Sequence, residues 1–192
     1  MDETALRDLA LSYAARYATT GAKLEGYLAR KIRERGVAEN EDGRAVELDV
    51  TGMVTRLIEL GYVDDDAYAR ARSRDLTARG YGKRRVEQAL WAAGVDEEVR
   101  GAHAPGEADS RRAAILLARK RGFGVFGNRI DPAAAAEIQR AAKEKQIAAM
   151  LRAGHDFEHA RFILGANRVS DIEEWLAEAE EDEAEDKRDG SW

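Results

Sequence analysis

Apolar residues recur every three to four positions along most of this chain, which is the spacing of helices that bury one face. Leu6, Leu9, Tyr13 and Tyr17 form the first such stripe. Similar stripes predict nine helices, over residues 4–18, 21–35, 48–60, 65–79, 83–93, 96–102, 107–121, 132–153 and 156–166. Because each helix has only a narrow apolar face, the pattern favours short helices that pack on one another.

Helix ends are marked by glycine and helix starts by capping side chains. A glycine in the left-handed conformation ends a helix at little steric cost. Six positions fit this role: Gly36, Gly61, Gly80, Gly94, Gly122 and Gly154. Thr and Asp side chains satisfy the free amides at a helix start, and proline suits the first turn. These starts are Thr20, Asp64–Asp66, Asp96, Asp131-Pro132 and Asp156.

The helices group into three imperfect three-helix repeats, over residues 1–63, 64–104 and 105–170. Such repeats predict an all-α fold, an elongated curved array of three imperfect three-helix repeats. A polar insertion at residues 38–47 makes the repeats unequal. The acidic C-terminal tail, residues 171–192, is predicted to continue as helix through Trp175 and then to be disordered.

Composition narrows the protein class. There are no cysteines, which excludes disulfides and thiolate metal sites. The longest apolar run, Ala113 to Ala118, is too short to span a bilayer, and the acidic start Met1-Asp2-Glu3-Thr4 does not resemble a signal peptide. We therefore expect a soluble, cytoplasmic protein without membrane contact. The sequence indicates no oligomeric state, and a monomer is the default expectation.

Charge is distributed unevenly. The net charge is −6, yet residues 171–192 hold eleven acidic residues against Lys187 and Arg188. Residues 1–170 therefore hold 29 basic and 26 acidic residues, a net of +3. The tail either keeps the protein in solution or folds onto a basic surface as a nucleic-acid mimic.

Basic residues concentrate in the middle of the chain. Between residues 70 and 85 there are seven Arg and Lys residues against Asp75 alone, and a second group lies between residues 111 and 121. Aligned cations would neutralise phosphates. The alternative is a set of solvated helix faces with cations near helix C-termini. The candidate binding residues are Arg70, Arg74, Lys83, Arg84, Arg85, Arg111, Arg112, Arg119, Lys120 and Arg121.

Three motifs invite a chemical interpretation, and each has a simpler one. Gly122–Gly127 matches G-x-G-x-x-G, but a helix precedes it where a dinucleotide site needs a strand, so we expect a loop. His155 and His159 have no obvious third metal ligand, which favours a helix start with a surface histidine. Asp64–Asp66 suit a helix cap. No nucleophile constellation stands out, and we predict no enzyme activity, no cofactor and no metal.

Longer segments carry a distinctive order of residue types. Residues 57–70 read as an apolar helix, Gly, an aromatic residue and an Asp-rich cap before an aromatic-Ala pair, and this order resembles the RecX family. Residues 79–95 continue the resemblance, and residues 145–164 are similar to the C-terminal RecX repeat. The resemblance covers about residues 5–166 and looks closest to alphaproteobacterial members. It differs at Gly154-His155, where the family commonly has Gly-Phe.

The resemblance implies a regulator that binds the filament of RecA recombinase on single-stranded DNA. Such proteins block filament growth or promote disassembly, and thereby modulate DNA recombination, DNA repair and the SOS response without a cofactor. The implied partners are RecA and single-stranded DNA, or duplex DNA without sequence specificity. Two other interpretations stay open at this point: a helix-turn-helix DNA-binding regulator, and a helical-repeat adaptor that binds only protein.

Overall fold

The computed structural model describes residues 1–127 and 136–189. Within these ranges the prediction of an all-α fold is confirmed: ten α-helices are present and no strand. They are α1 Glu3–Arg16, α2 Gly21–Arg35, α3 Val50–Glu59, α4 Asp65–Ala78, α5 Lys83–Trp91, α6 Glu97–Ala102, α7 Glu107–Arg121, α8 Ala136–Arg152, α9 Phe157–Gly165 and α10 Val169–Asp189.

Helix boundaries follow the local signals. Eight of the predicted helices lie within two residues of the observed ends, and all six predicted stop glycines have positive φ. Thr20 and Asp64 accept hydrogen bonds from the amides of Lys23 and Ala67 at 3.2 and 2.8 Å, which is the N-cap geometry. The predicted start at Asp131-Pro132 lies outside the described residues.

The chain divides into two compact units. The first comprises Met1–Ala71 and Leu90–Ala102. Its core is formed by buried side chains of α1, α2 and α3 with the turn that follows them: Leu6, Ala10, Leu24, Leu28, Val54, Leu57 and Val63. Thr20, which is fully buried, donates its hydroxyl to the carbonyl of Ala93 at 2.5 Å, and Asp65 accepts from the amide of Gly21 at 2.9 Å. These bonds fasten α2 within the unit.

The polar insertion of the first unit forms a short hairpin-like turn. Glu39 and Ala45 make one isolated antiparallel bridge, and the Asn40 side chain accepts hydrogen bonds from the amides of Asp42 and Arg44. The insertion therefore forms several hydrogen bonds within itself and adds no strand to the described part of the chain.

The second unit comprises Arg72–Ala89 and His103–Trp192. Its core joins α7, α8, α9 and α10 through Ala114, Ile115, Ala118, Met150, Ala160, Ile163 and Ile172. A 3-10 helix, Gly124–Phe126, follows α7 and packs Val125 and Phe126 against this core. The boundaries of three repeats stay a prediction.

The C-terminal helix corrects the sequence prediction. We expected helix only through Trp175 and disorder beyond it, whereas α10 continues to Asp189. Ile172, Trp175, Leu176 and Ala179 have the spacing of one helical face, and Ile172 and Ala179 are buried. The eleven acidic residues of the tail favour disorder by composition, but this apolar stripe is enough to dock the helix.

Among the described residues, none of the helices is long and apolar enough to cross a membrane.

Candidate nucleic-acid interface

The turn that precedes α5 packs directly against the turn between α8 and α9. The Gly82 amide donates to the Ala153 carbonyl at 2.9 Å, and the Arg84 amide donates to the Gly154 carbonyl at 3.1 Å. A Cβ atom on Gly82 would overlap the Gly154 carbonyl, and one on Gly154 would overlap the Arg85 backbone. Two glycines therefore permit this close approach, which we call the turn junction (residues 80–85 and 153–156).

The junction exposes three consecutive cations at the start of α5. Lys83, Arg84 and Arg85 are all exposed. Arg84 lies 3.4 Å from Asp156, and Arg85 donates to Gln88 at 3.0 Å. Lys83 has no side-chain partner in the described part of the chain. Because residues 82–85 are fixed by backbone hydrogen bonds, the cations project from a rigid support, and we call them the α5 triplet.

Three further predicted cations belong to the second unit, and one of them contacts the turn before α5. Lys120, close to the end of α7, donates to the Arg79 carbonyl at 3.3 Å, which brings that end of α7 to the turn before α5. Arg121 and Arg74 are exposed, and neither has a side-chain partner within residues 1–127 or 136–189. Together with the α5 triplet they supply six of the ten predicted binding residues.

Arg70 belongs to the first unit, whereas the other nine predicted binding residues belong to the second. Its guanidinium lies 3.9 Å from the carboxylate of Asp66 one turn earlier on α4. Both side chains are more than half exposed, so the ion pair contributes little to stability. The structure does not group Arg70 with the junction.

Three predicted binding residues, all on α7, are instead paired with α10. Arg112 contacts Glu180 at 2.5 Å, and Arg119 contacts Glu173 at 3.4 Å. Arg111 is mostly buried: it donates to the Trp175 carbonyl at 2.5 Å, and its guanidinium stacks 4.5 Å above the Trp175 ring. The hydrogen bond that Arg112 donates to the Glu180 carboxylate raises the pKa of Arg112 above its ordinary value. These arginines are not free in this structure.

Sequence reasoning missed Glu183, which caps α7 from a distance. Gly106 stands at the N-cap of α7 and offers no capping side chain. The Glu183 carboxylate accepts the hydrogen bond of the Ala108 amide at 2.9 Å and fills this role. The sequence does contain one signal for the pairing of α7 with α10. Arg112 and Arg119 are seven residues apart, as are Glu173 and Glu180, and this equal spacing suits an antiparallel helix pair.

Both histidines of the metal hypothesis are structural. His155 is 1% exposed and His159 is 8% exposed, so the expectation of a surface histidine is wrong. His155 Nε2 lies 3.0 Å from the Gly80 carbonyl, and His159 Nε2 lies 3.0 Å from Glu107. No group of three or more metal-binding side chains occurs among residues 1–127 and 136–189.

His155 is a buried part of the turn junction and contacts the Gly80 carbonyl. We expect it to make the stability of the junction depend on pH. Burial lowers the pKa of His155, and only the hydrogen bond to Gly80 and the charge of Asp156 oppose this. Nε2 carries the proton that the Gly80 carbonyl accepts, while buried Nδ1 has no partner among the described atoms. A second proton at Nδ1 would therefore have no acceptor.

Acid is expected to destabilise the second unit through this histidine. Because the unfolded chain binds the proton near the ordinary pKa of 6.5 and the folded one only at lower pH, stability is fully present above about pH 6.5 and falls below it, down to the lowered folded pKa. Urea unfolding of the wild type between pH 5 and 8 should show this loss, and His155→Gln should remove it. His103→Gln is the control, and a wild-type slope retained in His155→Gln would exclude His155 as the source.

The glycine-rich segment carries no nucleotide-site geometry. Gly122 ends α7 in the left-handed conformation, and α7 rather than a strand leads into it. Residues 124–126 form the 3-10 helix described above. The expectation of a loop is corrected in this stretch, while the remainder of it, residues 128–130, lies outside the described residues.

A solved structure and a family model that match this chain define its class of fold. The crystal structure of RecX from Lactobacillus salivarius is similar to this chain with a TM-score of 0.62 at 18% identity, and the match covers 84% of this chain and 94% of that one. A family model described as the second three-helix domain of RecX matches residues 64–102, which include α4, α5 and α6. The helical architecture is thus that of the RecX proteins.

Relatives of similar length then define the family. Regulatory protein RecX of Myxococcus xanthus is 33% identical over 168 residues, which are 85% of this chain and 86% of the relative. Regulatory protein RecX of Agrobacterium fabrum is 30% identical over 162 residues, 83% of this chain and 81% of the relative. The chain belongs to the RecX family of regulatory proteins.

Proposed function

We propose that this protein regulates the RecA filament on single-stranded DNA, mainly as an inhibitor. It binds the filament and blocks its growth or promotes its disassembly, and it thereby modulates recombinational repair and the SOS response. It works as a cytoplasmic monomer by binding, without catalysis and without a cofactor of its own. Membership of the RecX family supports the regulatory part of this proposal.

One observation carries the site: the α5 triplet projects three exposed cations from a backbone that the turn junction holds in place. A fixed guanidinium or ammonium group loses little conformational freedom when it meets a phosphate or a carboxylate. Lys120 at the end of α7 extends the same positive region, and Arg121 follows it directly; Arg74 is a further exposed cation of the second unit. The partner surface is therefore the DNA backbone or an acidic surface of RecA.

The test is RecA's hydrolysis of ATP on single-stranded DNA, titrated with this protein. Inhibition well below one copy per RecA is expected, because a protein that caps or severs a filament acts on many subunits at once. Inhibition only near one copy per RecA would indicate coating of the filament. No effect at low salt, with RecA from the same source, would contradict the proposal.

The two open alternatives have their own signatures. A helix-turn-helix regulator would enrich a preferred duplex from a random pool, with a large ratio of specific to non-specific affinity. A protein-only adaptor would show no salt-dependent binding to DNA. We expect salt-dependent binding to single-stranded DNA and no enriched duplex.

A further inference from the structure

Helices α7 and α10 of the second unit meet through an antiparallel ladder of opposite charges. Arg119 pairs with Glu173, and seven residues away on each helix Arg112 pairs with Glu180. Equal spacing on both helices keeps the rungs in register along the contact. The ladder covers cations that would otherwise extend the positive region of α7.

The two halves of α10 are held differently. The first half is anchored by apolar packing, since Ile172 is fully buried and Trp175 stacks on Phe162 with ring centroids 4.6 Å apart. Ala179 is the last buried residue of the described part of α10. Beyond it, α7 is contacted through carboxylates, namely Glu180 on Arg112 and Glu183 on the Ala108 amide.

These polar contacts are accessible to exchange with another anion. The side chains of Arg112 and Glu180 are 53% and 46% exposed, and those of Arg119 and Glu173 are 52% and 64% exposed. Water and salt therefore screen each pair. A phosphate offers a guanidinium the same geometry as a carboxylate, with more acceptor oxygens.

We propose that α10 is an internal competitor for nucleic acid at Arg112 and Arg119, and that its C-terminal half, residues 180–189, is the part that single-stranded DNA displaces. The competing groups are chemically alike: a row of carboxylates on a helix replaces a row of phosphates. This inference rests on one part of the proposed function, namely that the protein binds single-stranded DNA. It makes the arginines of α7 a second binding surface. Arg112 becomes available when the acidic half moves, and Arg119 when a phosphate replaces the exposed carboxylate of Glu173, while the apolar first half of α10 stays in place.

The test compares two pairs of substitutions on the same helix. Glu173→Gln with Glu180→Gln removes the ladder carboxylates and preserves side-chain size. Glu174→Gln with Glu181→Gln removes the same charge from exposed neighbours that have no partner within the described residues. The readout is the affinity for a labelled thymidine oligonucleotide without RecA, measured by fluorescence anisotropy at several salt concentrations.

The ladder variant is expected to bind about tenfold more tightly than the wild type at low salt. Its salt slope should steepen by about 1.4, for two additional phosphate contacts at about 0.7 each on a single strand. The neighbour variant should show a much smaller gain and an unchanged slope. Equal gains in both variants would reduce the effect to net charge and overturn the proposal. Absence of DNA binding by the wild type and both variants would overturn it as well.

Hydrogen exchange gives a second readout that does not depend on a substitution. In the wild type, saturating oligonucleotide should speed exchange of the amides in residues 180–188 and leave those near Ile172 protected. Protection unchanged throughout α10 in the DNA complex would contradict displacement. Neither experiment contains RecA, so both test competition by α10 separately from filament inhibition. Competition by α10 could therefore be supported while filament inhibition is contradicted, and the opposite result would also be recognisable.

Discussion

Replacing the α5 triplet by Lys83→Glu, Arg84→Glu and Arg85→Glu is expected to abolish inhibition of RecA's ATP hydrolysis. Three lost phosphate contacts should lower the salt slope of binding to single-stranded DNA by about 2, and repulsion from three new carboxylates should weaken affinity on the order of a hundredfold at low salt. Helicity by circular dichroism should stay at the wild-type level, because all three side chains are exposed.

A control of equal charge isolates position from net charge. Arg16→Glu, Arg33→Glu and Arg44→Glu change three exposed residues of the first unit and alter the net charge by the same amount. This variant should inhibit nearly as well as the wild type. If the α5 variant inhibits normally, or if both variants fail alike, the junction is not the binding surface.

Gly154→Ala is expected to cost about 2–6 kcal/mol of the free energy of unfolding, because backbone strain and steric overlap both oppose the added methyl group. Gly154 has φ +91°, where an L side chain is strained by roughly 1–3 kcal/mol. Its added Cβ would also overlap the Arg85 backbone, and a forced backbone shift costs about 1–3 kcal/mol more. Urea unfolding followed by circular dichroism measures the sum.

Two other glycines separate strain from overlap. Gly36 has φ +72° with no atom within 4 Å of an added Cβ, so Gly36→Ala should show strain alone, about 1–2 kcal/mol. Gly26 lies inside α2, also with open space, and Gly26→Ala should stabilise by about 0.5–1 kcal/mol. If Gly154→Ala lowers the free energy of unfolding no more than Gly36→Ala does, the junction accommodates the added methyl group without additional cost, and this prediction is wrong.

Local order was predictable from the sequence because its causes are local. Apolar spacing, capping side chains and stop glycines act within one or two turns, and they place α2 and α7 to the residue. The same kind of spacing was present in the tail, at Ile172, Trp175, Leu176 and Ala179. The acidic residues around it suggested disorder instead. Pattern is the better guide there, because four apolar residues on one face suffice to dock a helix.

The candidate site was predictable as a list of cations and not as a surface. Nothing local to Arg84 announces that its amide bonds to Gly154, seventy residues away. Likewise Arg111 reads as a free cation until Trp175 covers it. Pairing between distant segments depends on how helices pack, and one sequence alone does not record which of several basic faces is covered.

The two units are interleaved along the chain, and this sets an order of assembly. The first unit draws its last segment from Leu90–Ala102, so all of it has been synthesised when Ala102 leaves the ribosome. The second unit includes Arg72–Ala89, yet the partners of this segment at Gly154 and His155 come much later. The first unit is therefore able to fold before residues 153–156 have been synthesised. Until then the turn before α5 lacks its hydrogen-bond partners. A regulator built in this way acquires its binding surface only after residues 153–156 have been synthesised.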